Sequence, residues 1–304
     1  MEIISGKGEG KRQIQESIKK YGFLPEHNYH YYQYLETGSR KNFFFSFDDN
    51  MGIMARCIPK SGMWSMISEP LAPKEKRIEI LSQAIDYTLN KKKGKKFKVE
   101  LAKESKDDML SYLEKSKKYR ACPVNYILYW PVFEMKTWNG DKLQGKSWKK
   151  IRNIRNKFHK YHRVSARHPT SFTREQLKDI VMDWAKRRNG SDWANSQFYY
   201  NLVDNDFEGT DFARTLVIDG KPSTIAAGWK IPNSNNYYSD TGIYNYRFSY
   251  VGEIAYLDEL KQLKRRRYGF ADFGGSDMPM LVFKKKFRPS YIYKTYTFSI
   301  VKRK

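Results

Sequence analysis

Two cysteines, Cys57 and Cys122, are too few for a disulfide-stapled secreted domain, because they close one bridge at most. No Cys-x-x-Cys pair or His/Cys cluster offers a metal site, and the five histidines (His27, His30, His159, His162 and His168) lack a ligand spacing. His159 and His162 stand three apart on an expected helix, but amid cations that would repel a metal ion. The start, Met1 to Gly6, has no apolar core of signal-peptide length. The most apolar stretch, Val124 to Phe133, runs for about ten residues, which reads as a strand and is too short for a membrane span. No Ser-His-Asp or Cys-His arrangement stands in a recognisable context, which fits a reaction that requires no covalent intermediate. Together these shortages point to the cytoplasm and to chemistry without a tightly bound cofactor or metal.

Acidic residues are scarce as well. The 304 residues hold 57 Lys and Arg against 33 Asp and Glu, a formal charge of +24. Such an excess repels itself and usually accompanies a polyanionic partner: nucleic acid, anionic lipid headgroups or phosphorylated small molecules. A lysine-rich composition without a special partner is the alternative. Hydrophobic residues make up 40% and aromatics 16%, which is enough for a real core and argues against wholesale disorder. The 23 tyrosines and seven tryptophans suit half-wet clefts, although ordinary strand filling explains many of them.

The length suggests about two domains. A short opening helix is expected over residues 12–21, strands over 42–47, 52–58 and 63–67, and a helix with Ile78, Leu81, Ala84, Ile85 and Leu89 at helical spacing. A strand at 97–101, a helix at 106–117 and a strand at 119–133 complete a mixed α/β unit. Trp138-Asn139-Gly140-Asp141 reads as the junction. The second series is a helix at 146–162, a strand at 163–168, a helix at 173–187, strands at 215–218, 224–231 and 236–246, a helix at 252–267 and a strand at 269–274. A Lys-rich segment at 284–288 and a last strand near 291–301 follow. The expected architecture is two similar α+β (mixed α/β) units, 1–137 and 138–304.

Two features carry potential chemistry. On the helix from Lys146, Trp148, Ile151, Ile154, Phe158 and His162 form one inward stripe, while Lys149, Lys150, Arg152, Asn153, Asn156, Lys157 and Lys160 cover the rest. Between Lys142 and Arg163 there are nine Lys/Arg and no acid. A merely solvated helix mixes signs, because like charges at i,i+4 repel, so an external anion is expected here. The second feature is Asp272-Phe273-Gly274-Gly275-Ser276-Asp277, followed by Phe283-Lys284-Lys285-Lys286-Phe287-Arg288-Pro289, with no acid after Asp277. Two glycines after a strand let backbone approach a ligand, and the lysines can neutralise phosphate or a developing oxyanion. A tight turn with a basic tail is the bland alternative.

Leu143-Gln144-Gly145-Lys146-Ser147-Trp148 with Arg152-Asn153-Ile154-Arg155-Asn156-Lys157-Phe158 resembles the signature that opens the second half of the phosphatidylglycerol lysyltransferase catalytic-domain family. Asp272 to Asp277, then Phe283-Lys284 and Phe287-Arg288-Pro289, resembles the same family's C-terminal pattern. The resemblance implies a tandem pair of N-acetyltransferase-like (GNAT) domains, related to the Fem aminoacyltransferases, which move an aminoacyl group from charged tRNA onto an amine or hydroxyl. The sequence departs from the lysyltransferase proper in lacking a multi-span membrane half. That turns expectation away from a lipid acceptor, with peripheral contact between the basic surface and anionic membrane kept open.

The choice of donor turns on a third stretch. Acyl-CoA enzymes of this fold cradle pyrophosphate in a Gly-rich loop at a helix N-terminus. Arg247-Phe248-Ser249-Tyr250-Val251-Gly252 lies where that loop belongs, so Arg247, Ser249 and Gly252 are the candidate donor-binding residues, but Tyr250 replaces the first glycine. This tilts the reading from acyl-CoA toward aminoacyl-tRNA. By resemblance, Lys284 holds the oxyanion or a phosphate, and Arg152 and Arg155, with Lys146 and Lys149, grip acceptor or tRNA phosphate. Gly274, Gly275 and Ser276 line the substrate, and Asp240 and Glu253 bind the donor ammonium or remove a proton. Acyl-CoA-dependent N-acylation and non-catalytic RNA or anion binding remain as alternatives.

Overall fold

The computed structural model describes residues 1–4, 9–188 and 196–303. In chain order the elements are β1 (Glu2–Ile4), α1 (Glu9–Tyr21), α2 (Tyr29–Tyr34), β2 (Lys41–Ser46), β3 (Gly52–Ile58), β4 (Met63–Met66), α3 (Arg77–Asp86), β5 (Lys96–Ala102), α4 (Lys103–Lys115), β6 (Tyr119–Ala121) and β7 (Tyr126–Glu134). They continue as α5 (Lys149–Tyr161), β8 (Val164–Arg167), α6 (Arg174–Arg187), α7 (Ser196–Asp204), β9 (Phe212–Ile218), β10 (Lys221–Pro222), β11 (Thr224–Lys230) and β12 (Tyr237–Tyr244). The last are α8 (Val251–Arg265), β13 (Phe270–Asp272), α9 (Met278–Lys285) and β14 (Tyr291–Lys302).

The chain divides into two compact units that are not contiguous in sequence. Unit 1 takes residues 1–130, 231–234 and 293–304, and unit 2 takes 131–230 and 235–292. The expected split into 1–137 and 138–304 differs from this most at the C-terminus. There β14 pairs antiparallel with β5 over Thr295–Ile300 and with β6 over Ile300–Lys302, so its backbone hydrogen bonds are satisfied in unit 1.

Unit 1 is a sheet in the order β1-β2-β3-β4-β5-β14, with β6 also on β14. Neighbours are antiparallel except β4 and β5, whose parallel pairing needs the crossover that α3 supplies. One face is a core of Phe45, Ile53, Ala55, Trp64, Phe97, Val99 and Phe298, packed with Leu81, Ala84, Ile85 and Met109 from α3 and α4. A smaller cluster of Ile14, Tyr29, Tyr32, Phe44, Met54 and Leu71 holds α1 and α2. The continuous strand expected over 119–133 is broken between β6 and β7, where Pro123 cannot donate to a ladder.

Unit 2 orders its strands β7-β13-β12-β11-β9, with β8 and β10 both on β9; the part of β7 within it starts at Pro131. The parallel pair β12·β13 is joined through α8. Its main core joins Ile151, Ile154 and Phe158 of α5 to Val251, Ile254, Leu257, Leu260 and Leu263 of α8, with Phe133, Tyr237, Ala271, Phe273 and Phe287. Helices α2, α7 and α9 were not expected as helices. The Lys-rich segment at 284–288 begins as the last turn of α9, a helix started by Asp277, whose side chain caps the N–H of Met280.

Candidate active site

Every candidate site residue falls in unit 2. The glycine-containing turn after β13 sets the frame. Gly274 adopts φ +74°, a conformation that favours glycine, and its N–H donates to Asp272 Oδ1 at 2.9 Å. Ser276 Oγ donates back to the Gly274 carbonyl at 3.2 Å. From α9, Lys284 reaches under the turn: its Nζ donates to the carbonyls of Phe273 and of Gly274, the latter at 3.3 Å. That leaves one of its three N–H donors. Gly275 stands exposed at the tip.

Lys284 is buried, and burial pulls its pKa down to about 8 against the opposing pull of Asp272 and Glu259. Glu259, projecting from α8 and only 3% exposed, is pushed up to about 8 by desolvation, with Ser239, Tyr237 and Lys284 pulling the other way. Its Oε1 and the hydroxyls of Tyr237 and Tyr256 make no hydrogen bond to the described residues. Polar groups buried without partners are costly, which makes this spot unusual for a core. Glu259 was not among the expected residues. Its signal was an acid on the apolar stripe of α8, three residues after Tyr256 and four before Leu263.

Asp240 stands at a β-bulge. Ala227 pairs with Thr241 and Gly228 with Ser239, so Asp240 is the extra residue on β12. Bulges bend a strand and re-aim a side chain. Gly228 is required opposite it, because a Cβ there would lie 2.0 Å from the Tyr238 carbonyl oxygen. The half-buried Asp240 accepts from the Thr241 hydroxyl at 2.9 Å, and desolvation raises its pKa to about 7. Its charge is felt by Tyr199 of α7 and by Tyr237. Arg188, just past α6, lies over the Trp184 ring at 5.2 Å, donates to Tyr246 Oη at 3.2 Å, and acts electrostatically on Tyr199, Tyr244 and Lys284. Nothing in the sequence distinguished it from Lys186 and Arg187 beside it.

Glu253 is ion-paired with Lys286 at 2.9 Å, its side chain 12% exposed, tying the first turn of α8 to the end of α9. The loop before α8 uses its cation elsewhere: Arg247 pairs with Asp183 of α6 at 3.1 Å. Tyr250 takes φ +68° at the helix start without capping it, and Ser249 is exposed. A Cβ on Gly252 would meet the Tyr244 ring at 2.7 Å, so that ring packs against the helix N-terminus. The N–H groups of Gly252 and Glu253 make no hydrogen bond to the described residues. An anion such as a pyrophosphate could approach them, but beside Tyr244 and without the Arg247 charge.

The two sequence motifs meet. Arg288 donates to the Ser147 carbonyl at 2.8 Å and lies 5.5 Å from the Trp148 ring, while Trp138 Nε1 donates to the Phe287 carbonyl at 2.9 Å. Arg152 turns inward to the carbonyls of Leu143 (2.6 Å) and Gly145 (3.1 Å), fixing the turn that precedes α5, and Gly145 holds φ +82°. Arg155 donates to Asn156 Oδ1 at 2.9 Å and, with Lys261 of α8, depresses the pKa of His159 further than burial alone. Lys146, Lys149, Lys150, Lys157 and Lys160 are exposed. None of the nine Lys/Arg from Lys142 to Arg163 is in an ion pair with a described acid.

Both cysteines are free thiols, and no group of three His, Cys, Asp or Glu among the described residues could hold a metal. No described helix is long and apolar enough to cross a membrane.

Comparison with protein-family models and with curated proteins gave no match. Solved structures do match. The C-terminal domain of a putative lysylphosphatidylglycerol synthetase from Agrobacterium fabrum superposes with TM-score 0.66 at 11% identity, covering 96% of this chain and 91% of that one. L-PGS from Bacillus licheniformis gives 0.65 at 13%, covering 94% and 90%. A tandem GNAT protein from the clavulanic acid biosynthesis pathway gives 0.58 at 7%, covering 99% and 98%. The chain therefore has the mixed α/β, tandem GNAT-like fold of the lysylphosphatidylglycerol synthetase C-terminal domain, as its two motifs led us to expect.

Proposed function

We propose that this protein is an acyltransferase that moves an aminoacyl group from charged tRNA to an amine or hydroxyl acceptor. The observation that supports this most is the basic run from Lys142 to Arg163. It has no acid in sequence, none of its nine Lys/Arg is in an ion pair with a described acid, and it lies on the same unit as the interior groups that titrate near neutrality. Cations left unpaired repel one another, and a polyanion such as tRNA relieves them.

In this reading Asp240 takes the proton from the acceptor as it attacks the ester carbonyl; a base with a pKa near the working pH suits that task. Lys284, fixed by the carbonyls of Phe273 and Gly274, offers its charge and remaining donor to the developing oxyanion. The carbonyl–oxygen ester bond then breaks, and the ribose oxygen of the tRNA leaves with a proton. Arg152 and Glu253 position the frame through their contacts, and Lys146, Lys149 and Arg155 hold phosphate.

A second reading, acyl-CoA as donor, is favoured by the unpartnered N–H groups of Gly252 and Glu253, against the crowding of Tyr244. Transfer of labelled amino acid from intact charged tRNA tests the first reading: we expect transfer by the wild type and its collapse in Lys284→Ala. Normal transfer by that variant overturns the role of Lys284. Saturable thermal stabilisation by acetyl-CoA, with no transfer from any charged tRNA, moves the assignment to the second reading.

A further inference from the structure

We propose that the face of the unit 1 sheet opposite its main core binds a phosphate group between Arg56 of β3 and Lys98 of β5, with Arg40 as a third cation. The proposal does not depend on the chemistry assigned to unit 2.

The pairing register builds the site. Asn42 pairs with Arg56, Arg56 with Ser65, Ser65 with Lys98, and Lys98 with Ser299, so these five residues form one row across β2, β3, β4, β5 and β14. Residues in register across a sheet share a face. The alternate residues face the main core, Ala55 and Cys57 flanking Arg56 and Phe97 and Val99 flanking Lys98, while Phe44 and Met54 on the Arg56 face belong to the smaller cluster that holds α1 and α2. Ser65 is buried and stands between the two long cations, its small hydroxyl-bearing side chain leaving room above it, and Ser299, also buried, lies on the far side of Lys98. Arg56 and Lys98 are two strands apart, about 10 Å at the backbone, a gap that such side chains close on an anion of phosphate size.

Arg56 has no internal counter-charge. It is half-buried, yet it makes no hydrogen bond or ion pair with the described residues. The titratable groups that act on it are Tyr31, Tyr126 and Arg40, and Arg40 opposes its charge. Lys98 contacts the Tyr126 hydroxyl at 3.5 Å and lies 5.8 Å from its ring. The acid on the same face, Glu100, accepts from Thr295 at 2.6 Å; burial raises its pKa, while the Lys98 ammonium acts on it in the opposite sense, and it does not act on Arg56. A guanidinium withdrawn from water without a partner is costly, and a planar fork beside hydroxyls and a second cation suits a phosphate.

Calorimetric titration of the full chain with pyrophosphate tests this. We expect saturable binding that Arg56→Gln weakens by about tenfold to a hundredfold, the worth of a charge-assisted contact. A control changing Lys115 and Lys117, exposed at and just past the end of α4, to Gln should leave the affinity nearly unchanged. Arg56→Gln should melt at or above the wild-type temperature, since no internal contact is lost. Absence of saturable binding, equal affinity in Arg56→Gln, or a larger loss in the α4 control overturns the site. Phosphatidylglycerol vesicles, with phosphatidylcholine vesicles for comparison, separate the sources. If Arg56→Gln and added pyrophosphate both weaken vesicle binding, the phosphate belongs to a lipid headgroup. If vesicle binding ignores both while pyrophosphate still binds, it belongs to a soluble molecule.

Discussion

Replacing Asp240 by Asn separates a catalytic carboxylate from a structural one, because the two roles predict opposite stability changes. Burial raises the Asp240 pKa from 3.8 to about 7. The folded state therefore holds a proton that the unfolded chain has released across that window, so stability falls as pH rises from 3.8 through 7. The full window corresponds to about 4 kcal/mol; with one edge of the residue in solvent, about 2–4 kcal/mol is a fair expectation. Asn keeps the shape and can still accept from the Thr241 hydroxyl without carrying charge. Denaturant unfolding at pH 5 and pH 8 should show the wild type losing stability relative to Asp240→Asn, with the variant the more stable at pH 8. Transfer should behave in the opposite way. A general base contributes about 10²–10⁴-fold, and the wild-type rate should fall below pH 7 as about nine-tenths of the carboxyl is protonated at pH 6. A variant that is active at pH 8, or one that is both inactive and destabilised there, would refute the assignment of Asp240 as the base.

Three further outcomes follow from single contacts. His27 is buried, accepts from the N–H groups of Phe23 and Leu24 through Nδ1, and donates to the Glu69 carbonyl, so burial holds its pKa near 4 instead of 6.5. A depressed His binds fewer protons folded than unfolded, so stability falls as pH drops through that window; the wild type should lose about 2 kcal/mol more than His27→Gln between pH 7 and pH 4.5. Parallel curves would contradict this. Gly274→Ala forces an Ala to φ +74° and should cost about 1–2 kcal/mol in denaturant unfolding, with transfer falling further because the carbonyl that Lys284 binds moves. Unchanged stability would mean the turn relaxes. Changing Lys149, Lys150 and Lys157 together to Gln should reduce the log–log salt slope of tRNA binding by about 2, from about 0.7 per single-strand contact; an unchanged slope would place the tRNA elsewhere.

The fold was largely legible because long elements carry their own periodicity. Ile151, Ile154 and Phe158 marked the buried stripe of α5, and β2, β3 and β11 stood near their expected places. Short elements whose order comes from packing were not legible. Helix α2 has six residues, of which Tyr29, Tyr32 and Tyr34 are buried, and its tyrosines read more easily as strand. Strand β14 looked like a tail of the second half, since nothing in its residues states that it pairs with β5, almost two hundred positions earlier. In the candidate site, Lys284 and the glycine turn came from a motif, and Asp240 was one of two acids offered for the donor ammonium or for proton removal. Glu259 was hidden because an acid inside an apolar stripe shows its meaning only once Tyr237, Ser239 and Lys284 surround it. Arg152 and Glu253 appeared as ligand-facing charges, whereas their partners, the carbonyls of Leu143 and Gly145 and the ammonium of Lys286, lie in other elements.

The most direct test of the proposed reaction is to follow the ester bond of the donor. Protein incubated with tRNA charged with labelled amino acids, together with an extract of candidate amine and hydroxyl acceptors, should move label into an RNase-resistant product. The label should stay on tRNA with Asp240→Asn. Label that remains on tRNA with the wild type, while an acyl group leaves acetyl-CoA for the same extract, would contradict aminoacyl transfer.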